Sequence, residues 1–246
     1  MRSDHNAARV DSEHRAYWSG KRNAALPESL HELNSFFCRY ARRHLRTFPW
    51  RRAETEPFHL LVAELLLVQT KAEDVARAWL PLMLRYPDAL HLARARQNTL
   101  IRLLEPLGLH RQRSRALKSV SRALMDLYGG EVPKTVEKLL TLPHVGLYVA
   151  SAVACFGFGR RVPIVDANVI RVFDRITGTH GIRELRRRFD VWQLAWAALP
   201  RAHAKSHNYG LLDFAAQTCT SRAPCCASCG LVSICAFGKK KLRLET

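Results

Sequence analysis

Acidic residues are scarce in this chain, long apolar runs are missing, and the alternating pattern of β-strands hardly occurs. Twenty-one Asp and Glu stand against thirty-nine Lys and Arg, a formal net charge of +18 in 246 residues. That deficit of acid lies far outside the mixed-charge surface that merely keeps a domain soluble, and the expected partner is a polyanion. No apolar stretch approaches the ~18–20 residues of a membrane span. The longest uncharged run, Leu139–Gly159, is broken by Pro143, His144 and Gly146. The opening residues, MRSDHNAARVDSEHR, contain no apolar core of a secretion signal, so a soluble, cytoplasmic protein without membrane contact is expected. With 48% hydrophobic residues the chain can still bury a sizeable core, enough for one large or two small domains.

What is present reads as helix. Residues 1–25 are polar with little periodicity and are expected to be mobile. Pro27 and Glu28 open a stretch in which Leu30, Leu33, Phe36, Phe37 and Tyr40 recur three and four apart, until Phe48-Pro49-Trp50 breaks it. The mostly apolar PFHLLVAELLLVQT follows, and beyond Lys71 the residues Val75, Trp79, Leu80 and Met83 continue helical spacing. Further helices are expected over 87–94, 97–105, 111–128 and 136–142, separated by turns such as Pro106-Leu107-Gly108 and Tyr128-Gly129-Gly130. Without strand patterns or internal repeats, an all-α protein is expected.

Seven cysteines occupy positions 38, 155, 219, 225, 226, 229 and 235, five of them between 219 and 235. A disulfide framework would spread them, whereas a tight cluster in a reducing compartment is far more often a metal site. Cys219, Cys226, Cys229 and Cys235 are separated by six, two and five residues, with a register through Cys225 as an alternative. Zinc modules usually draw on two separated knuckles, and only one C-x2-C pair exists here, so iron–sulfur ligation is preferred over zinc in the same cage. Cys38 and Cys155 have apolar neighbours and read as buried.

Leu142-Pro143-His144-Val145-Gly146 joins the helix ending near Leu142 to the small-residue helix beginning at Leu147. A Pro-x-x-Gly turn between helices can direct backbone N–H groups and the positive end of the second helix at one phosphate, although a plain helix–helix turn has the same outline. Leu-Pro-x-Val-Gly-x-x-x-Ala followed by the segment Phe158–Val172, with its Val-Asp-Ala-Asn-Val, resembles the helix-hairpin-helix DNA glycosylases related to endonuclease III. The resemblance runs from about Arg46 to Phe237, and its one departure in the hairpin is His144 where the family usually carries Gly.

The resemblance implies a two-lobed fold. One lobe, about 50–160, is a helical barrel with the hairpin; the other joins 26–49 to 161–246 and carries a [4Fe–4S] cluster on Cys219, Cys226, Cys229 and Cys235. It further implies duplex DNA lying across the cleft, bound through Pro143, His144, Val145 and Gly146, with Gln69 and Leu109 wedged into the stack left by a flipped nucleotide. Asp166 precedes an amphipathic helix, where an Asp ordinarily serves as N-cap. By resemblance it is the carboxylate that stabilises positive charge on the sugar as the glycosidic bond breaks.

Glu64 is the one charged residue in Phe58–Val68, with Leu60, Leu61, Leu67 and Val68 at helical spacing, so it is expected buried or lining a cavity, where its proton is held more tightly. By resemblance it matches the Glu that protonates or orients the departing base. Tyr148 occupies the position where lyase members carry the Lys that forms a Schiff base; a phenol cannot do so, although a core tyrosine is an equally plain reading.

The resemblance therefore implies a monofunctional, monomeric DNA glycosylase of base excision repair, nucleoid-associated, acting on thymine or uracil opposite guanine in duplex DNA. A glycosylase for adenine opposite oxidised guanine, one for modified bases in foreign DNA, and a non-catalytic iron–sulfur DNA-binding or redox-sensing protein stand as alternatives. The adenine reading is weakened because the chain is expected to end 11 residues after Cys235, without a further domain for the opposite base. Basic residues at Arg111, Arg113, Arg115, Lys118 and Arg122, at Arg186–Arg188 and at Lys239–Lys241 read as a solvated face suited to phosphate.

Overall fold

The computed structural model describes residues 29–178 and 185–243, and all regular structure among them is helical. In chain order the helices are α1 (Ser29–His44), α2 (Pro57–Leu67), α3 (Ala72–Arg85), α4 (Ala89–Ala93), α5 (Gln97–Leu104), α6 (His110–Tyr128), α7 (Val136–Leu139), α8 (Leu147–Ala152), α9 (Ala167–Thr177), α10 (Leu185–Ala198), α11 (Ala204–Gln217) and α12 (Ala236–Leu242). Among the described residues no helix is long and apolar enough to cross a membrane. The chain divides into two compact units, one of Thr47–Arg160 and one of the residues up to Arg46 together with those from Arg161 onward. The segment 1–25, expected to be mobile, lies outside the described residues.

In the Thr47–Arg160 unit the central helix is α2. Phe58, Leu60, Leu61, Val62, Ala63 and Leu66 are all buried, and a helix apolar on every side must be walled on every side. Pro57 fits the first turn, where its missing N–H would have had no partner. Helix α3 offers Val75, Trp79, Leu82 and Met83, and the Trp79 indole donates to the His59 carbonyl at 3.0 Å. Leu80 departs from the expectation: it is 52% exposed, because the buried stripe runs through Leu82 and Met83. Helix α6 buries Leu117, Val120 and Leu124 and stops at Gly129, whose φ of 61° lets the chain turn back. Helix α7 ends at Leu139 rather than 142; the next three residues tighten into turns, with Leu142 N–H donating to the Leu139 carbonyl at 3.1 Å. Helix α8 runs into a wider π turn over Val153–Gly157. A Cβ at Gly157 would stand 3.3 Å from the Leu60 side chain, so glycine permits this close approach to α2.

In the other unit α1 lies on α11. Phe36, Phe37 and Tyr40, one turn apart, meet Phe214 edge-on at 5.4, 5.6 and 5.4 Å. Phe37 is fully buried, and truncation of such a side chain costs about 3–5 kcal/mol. The backbones approach so closely that a Cβ at Gly210 would overlap the Phe37 carbonyl, so Gly210→Ala would force the helices apart. Where α1 gives way to the chain leading out of the unit, the fully buried Asp213 carboxylate accepts from Arg46 Nε at 2.7 Å and from the Arg46 backbone N–H at 2.9 Å. Arg161 donates to the Leu199 carbonyl at 2.7 Å and stacks over Trp196, which seats the end of α10.

Candidate functional site

Glu64 projects from α2 and is 2% exposed. Leu60 and Leu61 on the preceding turn are buried with it and Leu67 is half-buried, but Val68 lies beyond the helix and is 46% exposed. Two exposed turn residues in the same unit, Gln69 and Leu109, have left-handed backbone, with φ of 57° and 47°. Leu109 is 55% exposed, an apolar side chain presented to solvent at the start of α6.

The turn after α7 is pinned by Val145, which is buried and donates its N–H to the Leu142 carbonyl at 3.3 Å. His144 at its tip is exposed with φ of 61°, so the residue that replaces Gly sits where Gly is favoured; His tolerates this better than most side chains but is strained. Gly146, with φ of −90°, is the N-cap of α8 and brings no side-chain cap. Tyr148 is half-buried in that first turn. Pro143 shares an open groove with Arg115, Lys118 and Arg122 of α6. Arg111, Arg115 and Arg122 are exposed, but Arg113 is 8% exposed and is not part of a solvated face. The side chains of Arg186–Arg188 lie outside the described residues.

In the second unit Asp166 caps α9. Its Oδ1 accepts from the Val169 N–H at 2.7 Å and its Oδ2 from the Asn168 side-chain amide at 2.7 Å, and the residue remains half-exposed. Asn168 Oδ1 accepts from Arg171 Nη1 at 2.8 Å, and Arg171 Nε donates to the Cys219 carbonyl at 3.1 Å. One turn further, Arg175 donates to the carbonyls of Thr220 at 2.7 Å and Ser221 at 2.9 Å and to Cys219 Sγ at 3.3 Å, while its guanidinium lies 4.6 Å from the Phe237 ring centre. Sequence reading met Asn168 and Arg171 only as letters of the motif, with no role, and passed over Arg175; polar residues repeating along α9 at a spacing of three and four were the available signal.

Cys219, Cys226, Cys229 and Cys235 line one recess with Val172, Phe214, Leu231 and Phe237. Cys225 also reaches the recess but is exposed, whereas Cys226 is 9% exposed. Burial pushes the Cys229 and Cys235 thiols up, and Cys219 and Cys226 are among the neighbours that raise them further, whereas Cys225 is not. The Gly238 N–H at the start of α12 donates to Cys235 Sγ at 3.3 Å, so two of the four sulfurs receive N–H donors of the kind that stabilise ligated thiolates. Among the described residues no group of three or more His, Cys, Asp or Glu is arranged to hold a metal ion. Cys155 is fully buried, but Cys38 is only half-buried.

Residues 62–194 match the family of HhH-GPD superfamily base excision DNA repair proteins. The chain is 37% identical to a thymine-DNA glycosylase of Aeropyrum pernix over 78% of its own length and 87% of that protein. It is 32% identical to a thymine/uracil-DNA glycosylase of Methanothermobacter thermautotrophicus, over 79% and 88% of the two chains. The solved structure of a thermostable thymine-DNA glycosylase superimposes with a TM-score of 0.81 at 30% identity, covering 87% of this chain and 98% of that one. By sequence and by fold, this chain belongs to the HhH-GPD superfamily of base excision DNA repair proteins.

Proposed function

We propose that this protein is a monofunctional DNA glycosylase that, as a monomer, hydrolyses the N-glycosidic bond of thymine or uracil mispaired with guanine in duplex DNA. The observation that carries the reading is the Asp166 carboxylate, fixed by the Val169 N–H and the Asn168 amide yet half-exposed. The names of the similar glycosylases support the choice of base. When the bond from C1′ to the base nitrogen breaks, its electron pair leaves with the base and positive charge develops on the sugar. A fixed carboxylate opposes that charge without having to reorganise, and it can take the proton of the water that then attacks C1′. Glu64, buried on α2, is the group that hands a proton, or a hydrogen bond, to the departing base. Tyr148, in the first turn of the hairpin helix, brings no amine, so no Schiff base forms and the strand stays intact.

Gln69 and Leu109 fill the gap in the base stack. Pro143, His144, Val145 and Gly146 hold a phosphate, and Arg115, Lys118 and Arg122 extend that contact without reading sequence. Cys219, Cys226, Cys229 and Cys235 would hold a [4Fe–4S] cluster. A soft all-thiolate donor set gathered on one recess and two N–H donors to sulfur fit such a group. When bound, the cluster would supply a crosslink among the four thiolates that orders the loop.

Single-turnover base release from U·G and T·G duplexes tests the reading. Asp166→Asn is expected to keep duplex binding while losing at least ~10²-fold in release rate, the scale of one preorganised electrostatic group. The strand should break only after alkali. Efficient borohydride trapping of the wild type would overturn the monofunctional assignment, and normal release by a folded Asp166→Asn would return Asp166 to the role of helix cap.

A further inference from the structure

Two of the three exposed non-glycine left-handed residues of the Thr47–Arg160 unit, Gln69 and Leu109, are joined by one buried side chain. Arg113 donates from Nε to the Gly108 carbonyl at 3.1 Å, from Nη1 to the Leu66 carbonyl at 2.9 Å, and from Nη2 both to the Val68 carbonyl at 3.0 Å and to the Thr70 hydroxyl. Its own N–H donates to the Leu109 carbonyl at 2.9 Å. Gly108 immediately precedes Leu109, and Val68 and Thr70 flank Gln69. These acceptors are neutral, so the arrangement is not an ion pair. A buried cation needs compensation, and here main-chain dipoles from two separate turns provide it. A planar guanidinium can meet four acceptors at once; an ammonium, with three donors in a different geometry, cannot.

We propose that Arg113 is a positioning residue for base extrusion, locking Gln69 and Leu109 into one preformed two-point wedge. The proposal rests on the wedge reading of those two residues given above. Left-handed backbone at Gln or Leu is disfavoured and persists only where the surroundings over-determine it. Arg113 supplies that constraint at both tips. Extruding a base already costs unstacking energy, and a wedge ordered in advance adds no ordering entropy at that moment.

Arg113→Lys keeps the charge and loses the fork. It is compared with wild type on uracil opposite guanine in a continuous duplex and on uracil in a short unpaired bubble, where the base is already unstacked. Single-turnover release from the continuous duplex is expected to fall roughly ten- to hundredfold, as for a misplaced positioning element. Release from the bubble should stay close to wild type. Thr70→Val removes the side-chain acceptor alone and should show the same asymmetry to a smaller degree; thermal melting establishes that each variant is folded, and Thr70→Val carries the test if Arg113→Lys is not. Equal slowing of both substrates by the folded variants overturns the proposal. Gln69→Ala and Leu109→Ala separate the two readings. If neither shifts the duplex-to-bubble ratio, the wedge reading falls and takes this inference with it. If they shift the ratio while the folded Arg113 and Thr70 variants do not, only the role of Arg113 falls.

Discussion

The two units hold their candidate functional segments by different means. In Thr47–Arg160, segments 66–70, 107–109 and 140–146 are short chain reversals, each with a non-glycine residue in the left-handed region: Gln69, Leu109 and His144. In the other unit, the cysteine loop is tied to α9 by Arg171 and Arg175, side chains that reach 44 to 48 residues along the chain to the carbonyls of Cys219, Thr220 and Ser221. A reversal stores strain locally and responds to the removal of a Cβ. A long-range tie stores nothing, and it responds to the loss of a donor or ligand.

The comparison is tested most severely at the adjacent cysteines. With the proposed cluster in place, Cys226→Ser should fail to hold iron and sulfide and should lose the cooperative unfolding of the second unit, because the binding energy of a structural metal is folding energy. Cys225→Ser should retain the metal content and visible absorbance of the wild type. The opposite result would move the ligand set to Cys225. Next in size is Arg46→Ala, which strips the side-chain partner from the fully buried Asp213 and should cost about 3 kcal/mol in denaturant unfolding. A loss within the scatter of surface substitutions would show that the carboxylate does not depend on the Arg46 side chain.

His207 gives a pH-dependent version of the same test. It is 1% exposed on α11, edge-on to Phe37, and burial lowers its pKa from 6.5 to about 4 against the opposing hydrogen bond with the Asn34 backbone. The unfolded chain therefore takes up a proton near pH 6.5 that the folded chain refuses, and stability present above that pH is lost as pH falls toward 4. By pH 5 the loss from this residue should reach about 2 kcal/mol. Melting of wild type and His207→Gln between pH 7 and 5 checks it: the variant's curve should be flatter. The smallest effect belongs to the strained hairpin, where His144→Gly should raise stability by about 1 kcal/mol by relieving the left-handed backbone. A decrease would mean that the imidazole makes contacts worth more than the strain.

Helix existence was legible where an apolar stripe recurs at helical spacing, as at Leu33, Phe37 and Phe36 of α1 or Leu117, Val120 and Leu124 of α6, because such a face must be buried whatever covers it. Boundaries were less so. Leu140 and Leu142 continue the spacing past the end of α7, and hydrophobicity alone does not distinguish a helical turn from the tighter turns that follow. Leu80 fits α3 by spacing yet faces solvent, since Leu82 and Met83 compete for the same stripe. Arg113 was opaque for another reason: in a basic helix, an arginine bent back onto carbonyls has the same letter as one pointing into water. The left-handed backbone at His144 was legible only as a condition, that whatever replaces Gly there would inherit its conformation.

The π turn at Val153–Gly157 acts as a phase setting for the hairpin helix. It inserts one residue beyond what a regular helix would use, and Val153, Ala154, Cys155 and Phe156 are all buried, so composition around it offers no record of which residue is the extra one. Deleting any single residue from the turn would leave an equally apolar segment able to close as ordinary helix. Each residue of helix turns the chain by about 100°, so the shortened segment would rotate Tyr148 and the first-turn amides of α8 away from their present bearing. A one-residue deletion there would thus turn the buried Val149, Ala150 and Ala152 together with the hairpin amides, so that core packing and hairpin direction are set by the same residue count.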